Sequence, residues 1–203
     1  MLCILAGNAN GHDAKLVGVG NDISAYQFDN GLKILMAPSA SNSIFLNVIY
    51  QVGSLADPQG QSGTAHLLEH LMFKGTETHP GEQWVNALRE RSLAFNATTS
   101  FDRTRYTTVL ESNPNQLDAL LALEAERMTS LSFNQTALAS EIEVVSRERE
   151  ASQEEPFNIL IDQMFAAATP GAGFGRQVLG QPDELERMTE ESIRQFHDRY
   201  YRP

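Results

Sequence analysis

His66-Leu67-Leu68-Glu69-His70 is the segment of this chain best equipped for chemistry. On a helix, positions i and i+4 share one face about one turn apart, so the two imidazoles can bind a single divalent metal. Glu69, three residues after His66, can turn its carboxylate toward the same ion. The order mirrors the His-Glu-x-x-His metal-binding pattern. Leu67, Leu68, Leu71 and Met72 crowd the same helix, which reads as mostly buried. A buried set of two histidines and a glutamate is costly unless it is paired or metal-bound.

A catalytic zinc usually has three protein ligands and one water. No cysteine lies downstream, because the only one is Cys3, and the other histidines (His12, His79 and His197) fall in leader, loop and late helix. The segment Leu138 to Glu150 offers more. Glu141, Val144, Val145 and Glu148 stand at i, i+3, i+4 and i+7 and so share one helical face. The valine pair turns that face inward, and the two carboxylates bracketing it reach a metal or the groups around it. Glu143, Arg147, Arg149 and Glu150 read as a solvated face.

These residues need elements to position them. Residues 1–22, rich in Gly, Asn and Asp, read as a flexible leader. Tyr26 and Phe28, then Asp29-Asn30-Gly31, then alternating Leu32, Ile34 and Met36 predict a hairpin. Ser43 to Val52 reads as a buried strand. A helix is expected over Thr64 to Lys74 and another over Glu82 to Arg91, after the break at Pro80-Gly81. Ala94 to Ser100 and Thr104 to Glu111 predict an antiparallel pair joined by Phe101-Asp102-Arg103. Asn113-Pro114 opens a helix to about Leu131, with Leu117, Leu120, Leu121 and Met128 at helical spacing. Further helices are expected over Gln135 to Ser152, Pro156 to Ala168 and Glu190 to Arg199, the last after a Gly-rich loop from Pro170 to Gly175. Strands early and helices late predict an α+β fold with a largely antiparallel sheet.

Composition excludes several function classes. The 203 residues include 41% hydrophobic and 20% charged residues, ordinary for a globular domain and too apolar for intrinsic disorder. No apolar run is long enough for a membrane-spanning helix. A single cysteine excludes a disulfide framework. The net charge of -11 argues against a general nucleic-acid binder. Met1 to Ala6 is apolar but too short for a signal peptide, with no basic residue before it.

His66-Leu-Leu-Glu69-His70-Leu-Met-Phe-Lys-Gly-Thr76 resembles the inverzincin zinc motif of the pitrilysin / mitochondrial-processing-peptidase family of metallopeptidases, peptidase family M16. Glu141-Ile-Glu-Val-Val-Ser-Arg-Glu148 is similar to that family's downstream acidic helix. Asn96-Ala97-Thr98-Thr99-Ser100 resembles its edge strand, and Gly175-Arg176, Leu179-Gly180 and Phe196 to Pro203 match its late pattern. The resemblance runs in order from about residue 24 to 203. It implies the LuxS/MPP-like metallohydrolase fold, α+β, with a mixed, mainly antiparallel sheet packed against helices. It implies one Zn2+ per chain on His66, His70 and Glu148, with Glu69 as the base that activates the zinc-bound water and Glu141 in support. Asn96, Ala97 and Thr98 would then bind substrate, an extended peptide or unfolded protein, by strand addition. By type and place alone, Asn96 reads as a strand-end or turn residue and Phe73 as a core residue. Two imidazoles and a carboxylate would accept several ions, so zinc itself is implied by the family.

The family usually carries Gly just before the Asn-Ala strand, where Arg91-Ser92-Leu93 stands here. It also implies another strand straight after Arg202-Pro203, then further domains or a second chain closing a chamber around the peptide. Residues 23–203 therefore read as an N-terminal catalytic domain truncated before its last strand, with weak or no peptidase activity alone. Two other readings compete. A non-catalytic binding or structural subunit of a processing-peptidase-like complex would typically have a degraded metal motif, which this chain does not. A lyase of the S-ribosylhomocysteine type would need a cysteine ligand downstream. The bacterial periplasm is favoured over the cytoplasm.

Overall fold

A computed structural model describes residues 14–169, 173–175 and 177–203. The chain divides into two compact units, Met1–Ser41 with Pro203, and Asn42–Arg202.

The first unit contains an antiparallel meander of β1 (Lys15–Gly20), β2 (Ile23–Gln27) and β3 (Lys33–Met36), in the order β1-β2-β3. Gln27 pairs with Lys33 across the turn, so the hairpin predicted around Asp29-Asn30-Gly31 is present. The leader reading over residues 1–22 needs correction at its end, because Lys15–Gly20 forms β1. Asn21 and Asp22 both take positive φ (51° and 63°) and reverse the chain tightly into β2. Short polar side chains tolerate that conformation, so the pair is turn chemistry rather than leader composition. Residues 1–13, including Cys3 and His12, lie outside the described residues.

The second unit is built on a three-stranded antiparallel sheet in the order β4-β6-β5, from β4 (Ser43–Tyr50), β5 (Ala94–Thr99) and β6 (Thr104–Glu111). The helices are α1 (Thr64–Leu71), α2 (Glu82–Arg91), α3 (Pro114–Thr129), α4 (Gln135–Glu154), α5 (Pro156–Ala168), α6 (Pro182–Leu185) and α7 (Glu190–Tyr200). Antiparallel strands with helices packed on them make the α+β class expected. None of the described helices is long and apolar enough to cross a membrane. The expected Pro170 to Gly175 loop falls partly outside the described residues; Gly173–Gly175 forms a single 3-10 turn. The four-residue α6 has no counterpart in the sequence reading. β4, read as buried, has one face open: Phe45 and Ile49 are exposed while Tyr50 is buried.

The core forms around α1. Leu67, Leu68, Leu71 and Met72 are fully buried against Tyr50, Tyr106, Leu138, Val145, Ile193 and Phe196. A second cluster joins Trp84 and Leu88 of α2 to Leu110 of β6 and Leu120 and Leu123 of α3. The buried Arg127 guanidinium lies 3.9 Å from the Tyr106 ring centroid, and its Nε donates to Glu124 at 2.7 Å. A charge removed from water needs such partners.

The entry to α1 is fixed by backbone contacts. Asp57 accepts from Gly63 N at 2.8 Å and Ala65 N at 2.9 Å, placing a buried carboxylate at the positive end of the helix. Gly63 has φ of 88° and Gly180 has φ of 78°, and the two backbones cross with no room for a side chain. A Cβ on Gly63 would lie 2.9 Å from Gly180 Cα. Ser62 N donates to Glu184 Oε2 at 2.6 Å and Gln181 N donates to Ser62 Oγ at 3.0 Å, binding the same crossing to the segment around α6.

Gly63→Ala should therefore lower stability by at least about 2 kcal/mol, from left-handed strain plus the clash with Gly180. Urea unfolding of the metal-free chain measures this.

Candidate metal centre

α1 and α4 face each other across an open cleft of about 760 Å³ lined by His66, Glu69, His70, Lys74, Glu141 and Glu148. The 3.6-residue repeat puts His66 and His70 on one face of α1, with ring centroids 4.8 Å apart. From α4, Glu148 Oε2 lies 3.7 Å from His66 Nε2 and 3.4 Å from His70 Nε2. One donor atom from each of these three residues falls within 4.8 Å of the others.

These spacings fit a metal. Ligand bonds of about 2.0–2.1 Å in a tetrahedron put donor atoms about 3.3–3.4 Å apart. The carboxylate-to-imidazole separations are near that value and long for direct hydrogen bonds. Among the described residues, His66 Nδ1 is buried without a hydrogen-bond partner, and Nε2 faces Glu148 at 3.7 Å, beyond hydrogen-bond reach. Burial, with a smaller contribution from His70, pulls the His66 pKa down to about 4, so the ring is neutral at pH 7 and its lone pair is free to ligate.

The neighbouring groups differ in charge and hold. Burial lowers the His70 pKa, but the hydrogen bond to Glu141 and the charges of Glu148 and Glu69 outweigh it and raise the value. His70 Nδ1 donates to Glu141 Oε2 at 3.1 Å. Burial raises the Glu141 pKa, yet the contacts from His70 and Lys74 bring it below the usual carboxylate range. Burial pushes the Glu69 carboxyl up, partly offset by Thr99, whose Oγ1 donates to Glu69 Oε2 at 2.5 Å.

The expected site residues distribute unevenly. His66, His70 and Glu148 converge, and Glu69 and Glu141 line the same cleft. The inward face expected on α4 is only partly so: Glu141 and Val145 are buried, Val144 is half-buried and Glu148 is exposed at the cleft mouth. Asn96 and Ala97 line the cleft, whereas Thr98 does not. Among the described residues, β5 pairs only with β6, which leaves its other edge open. Phe73 packs against Trp84, Phe95 and Tyr106 as a core residue does, and it also lines the cleft. Arg149, read as solvated, instead donates to Gly180 O at 2.9 Å and to Gln181 Oε1 at 3.1 Å. His79 contacts Glu126 and His197 stacks on Tyr201, both apart from the cluster. Asp57, Lys74 and Thr99 join the site or its supports without a role expected from the sequence. For Lys74 a signal was present, since it follows His70 by four residues.

Comparison with known proteins agrees with this architecture. The family model described as Insulinase (Peptidase family M16) matches residues 35–182. Zinc protease PqqE of Helicobacter pylori is 33% identical over 177 residues, 86% of this chain and 39% of the relative. The crystal structure of a protease from Helicobacter pylori superposes with a TM-score of 0.81 at 32% identity, covering 88% of this chain and 43% of that one. The first half of the periplasmic protease PqqL from Escherichia coli gives a TM-score of 0.84 at 25% identity, covering 93% and 42%. The chain thus spans about two-fifths of the length of these relatives.

Thr99→Val should cost about 1–2 kcal/mol by removing the side-chain donor that, among the described residues, meets the buried Glu69 carboxyl, while Thr99→Ser should keep most of the stability. Urea midpoints of the metal-free proteins test both.

Proposed function

The chain belongs to the insulinase family of peptidases, peptidase family M16, and we propose that it is the metal-carrying domain of a zinc-dependent metalloendopeptidase acting on extended peptides. The observation that carries this reading is the convergence of His66, His70 and Glu148 beside the Glu69 carboxyl in one open cleft. His66, His70 and Glu148 would hold one zinc ion. Bound zinc supplies a Lewis acid that polarises a peptide carbonyl and lowers the pKa of water toward 7.

The chain's own residues do the rest. Glu69 acts as general base, taking a proton from the attacking water and passing it to the leaving amine. Its burial supports this role, because a raised carboxyl pKa moves the group toward the range where it both accepts and returns a proton. Glu141 orients His70 through Nδ1. Asn96 and Ala97, with Thr98 next along β5, offer the open strand edge to an extended peptide or unfolded protein, giving backbone affinity with loose sequence preference.

In this proposal residues 23–203 act as an N-terminal M16-type catalytic domain, and a second M16-type domain or chain closes the chamber. The greater length of the relatives supports that arrangement. The periplasm is the proposed compartment, as it is for the Escherichia coli protease.

The zinc-loaded chain should bind an extended peptide hydroxamate, lose it on chelation, and cleave an unstructured peptide only slowly. Glu69→Gln should keep zinc and lower that cleavage at least about 100-fold. Hydroxamate binding that survives chelation, or cleavage that survives Glu69→Gln, contradicts the proposal.

A further inference from the structure

The two facing helices carry a matched ladder of charged groups. His66, His70 and Lys74 follow one another at intervals of four. Although α1 ends at Leu71, Lys74 N still donates to Leu71 O at 2.9 Å, so the next turn brings Lys74 back beneath His70. Opposite them, Glu141 and Glu148 stand seven apart on α4. Glu148 meets both imidazoles, and Glu141 meets His70 and Lys74. The two Glu141 oxygens are divided: Oε2 accepts from His70 Nδ1 at 3.1 Å and Oε1 accepts from Lys74 Nζ at 2.6 Å.

We propose that Lys74 is a positioning residue of the metal centre: its ammonium anchors Glu141 in the orientation that keeps the proton of neutral His70 on Nδ1 and leaves Nε2 bare toward His66 and Glu148. The inference rests on the metallopeptidase reading of the same cleft. A glutamate side chain has three torsions, and one contact to an imidazole does not fix them all. The second contact, to a charged donor at short range, removes that freedom. The bond on one ring nitrogen sets which nitrogen is free to ligate, so Lys74 acts on the metal through two other side chains.

Lys74 also carries a positive charge near the cation site, and the two effects have opposite signs. Charge repulsion across a solvent-exposed cleft weakens metal binding only a few-fold. Loss of a group that orients a ligand typically weakens it 10- to 100-fold. The positioning account therefore requires Lys74→Met to bind zinc more weakly, and the repulsion account requires it to bind more tightly.

The test is zinc affinity by chelator competition on the wild-type chain, Lys74→Met and Lys74→Arg, with circular dichroism to confirm folding. Nitrogen-15 spectra of His70 in the metal-free chain, at alkaline pH where the ring is neutral, accompany it. The expected result is about tenfold weaker zinc binding in Lys74→Met with a mixed His70 tautomer, and recovery of most of both in Lys74→Arg. Equal or tighter zinc binding in Lys74→Met, or an unchanged Nδ1–H tautomer, overturns the role of Lys74. A folded wild-type chain that binds no zinc contradicts the metallopeptidase reading instead, and the tautomer spectra then decide the role of Lys74 alone.

Discussion

Three carboxylates, Glu69, Glu141 and Glu148, share one cleft with two imidazoles, and the spacing of these groups governs everything around them. Like charges at such range raise one another's energy unless a cation or a proton intervenes. Lys74 answers Glu141 at 2.6 Å. Glu69 is relieved by burial, which favours its neutral form, and by Thr99. Glu148 is left facing two imidazole nitrogens at separations suited to a shared metal rather than to hydrogen bonds. A divalent ion at that point would meet all three donors and offset the remaining negative charge.

Holding the arrangement requires a helix that cannot shift. α1 is buried on its leucine faces, so sliding it would expose Leu67, Leu68 and Leu71 or drive His66 and Glu69 into apolar surroundings. Its start is held by Asp57 and by the crossing of Gly63 and Gly180. The Arg127 guanidinium packs against the rings of Phe73, Trp84 and Tyr106. Phe73 connects this packing to the cleft, so the same ring serves the core and the site.

Much of this was legible in the sequence because it is local. The bounds of α2 and α5 coincide with the predicted ones, and the His66, Glu69 and His70 spacing is a property of a single turn. The elements that were misread depend on distant chain. Leu121, counted on the apolar stripe of α3, is exposed, while Glu124 and Arg127 are buried, because aromatic rings from α2 and β6 make an inward guanidinium acceptable. Arg149 reads as solvated until the loop carrying Gly180 comes back to it. Thr99 gains its meaning from a contact thirty residues away in sequence. β1 was hidden by a glycine-rich composition that suits a leader as well as an edge strand. Glu148 was expected inward by helical periodicity, but periodicity cannot tell a closed core from an open cleft.

If His66, His70 and Glu148 form one metal centre, removing one of the three must empty it. The most direct measurement is bound metal per folded chain, on the wild type and on Glu148→Gln, after loading with zinc and removal of excess. About one zinc is expected in the wild type, with a clear loss in the variant. A wild-type chain that is folded by circular dichroism and holds no zinc, or a variant that holds as much as the wild type, would contradict it.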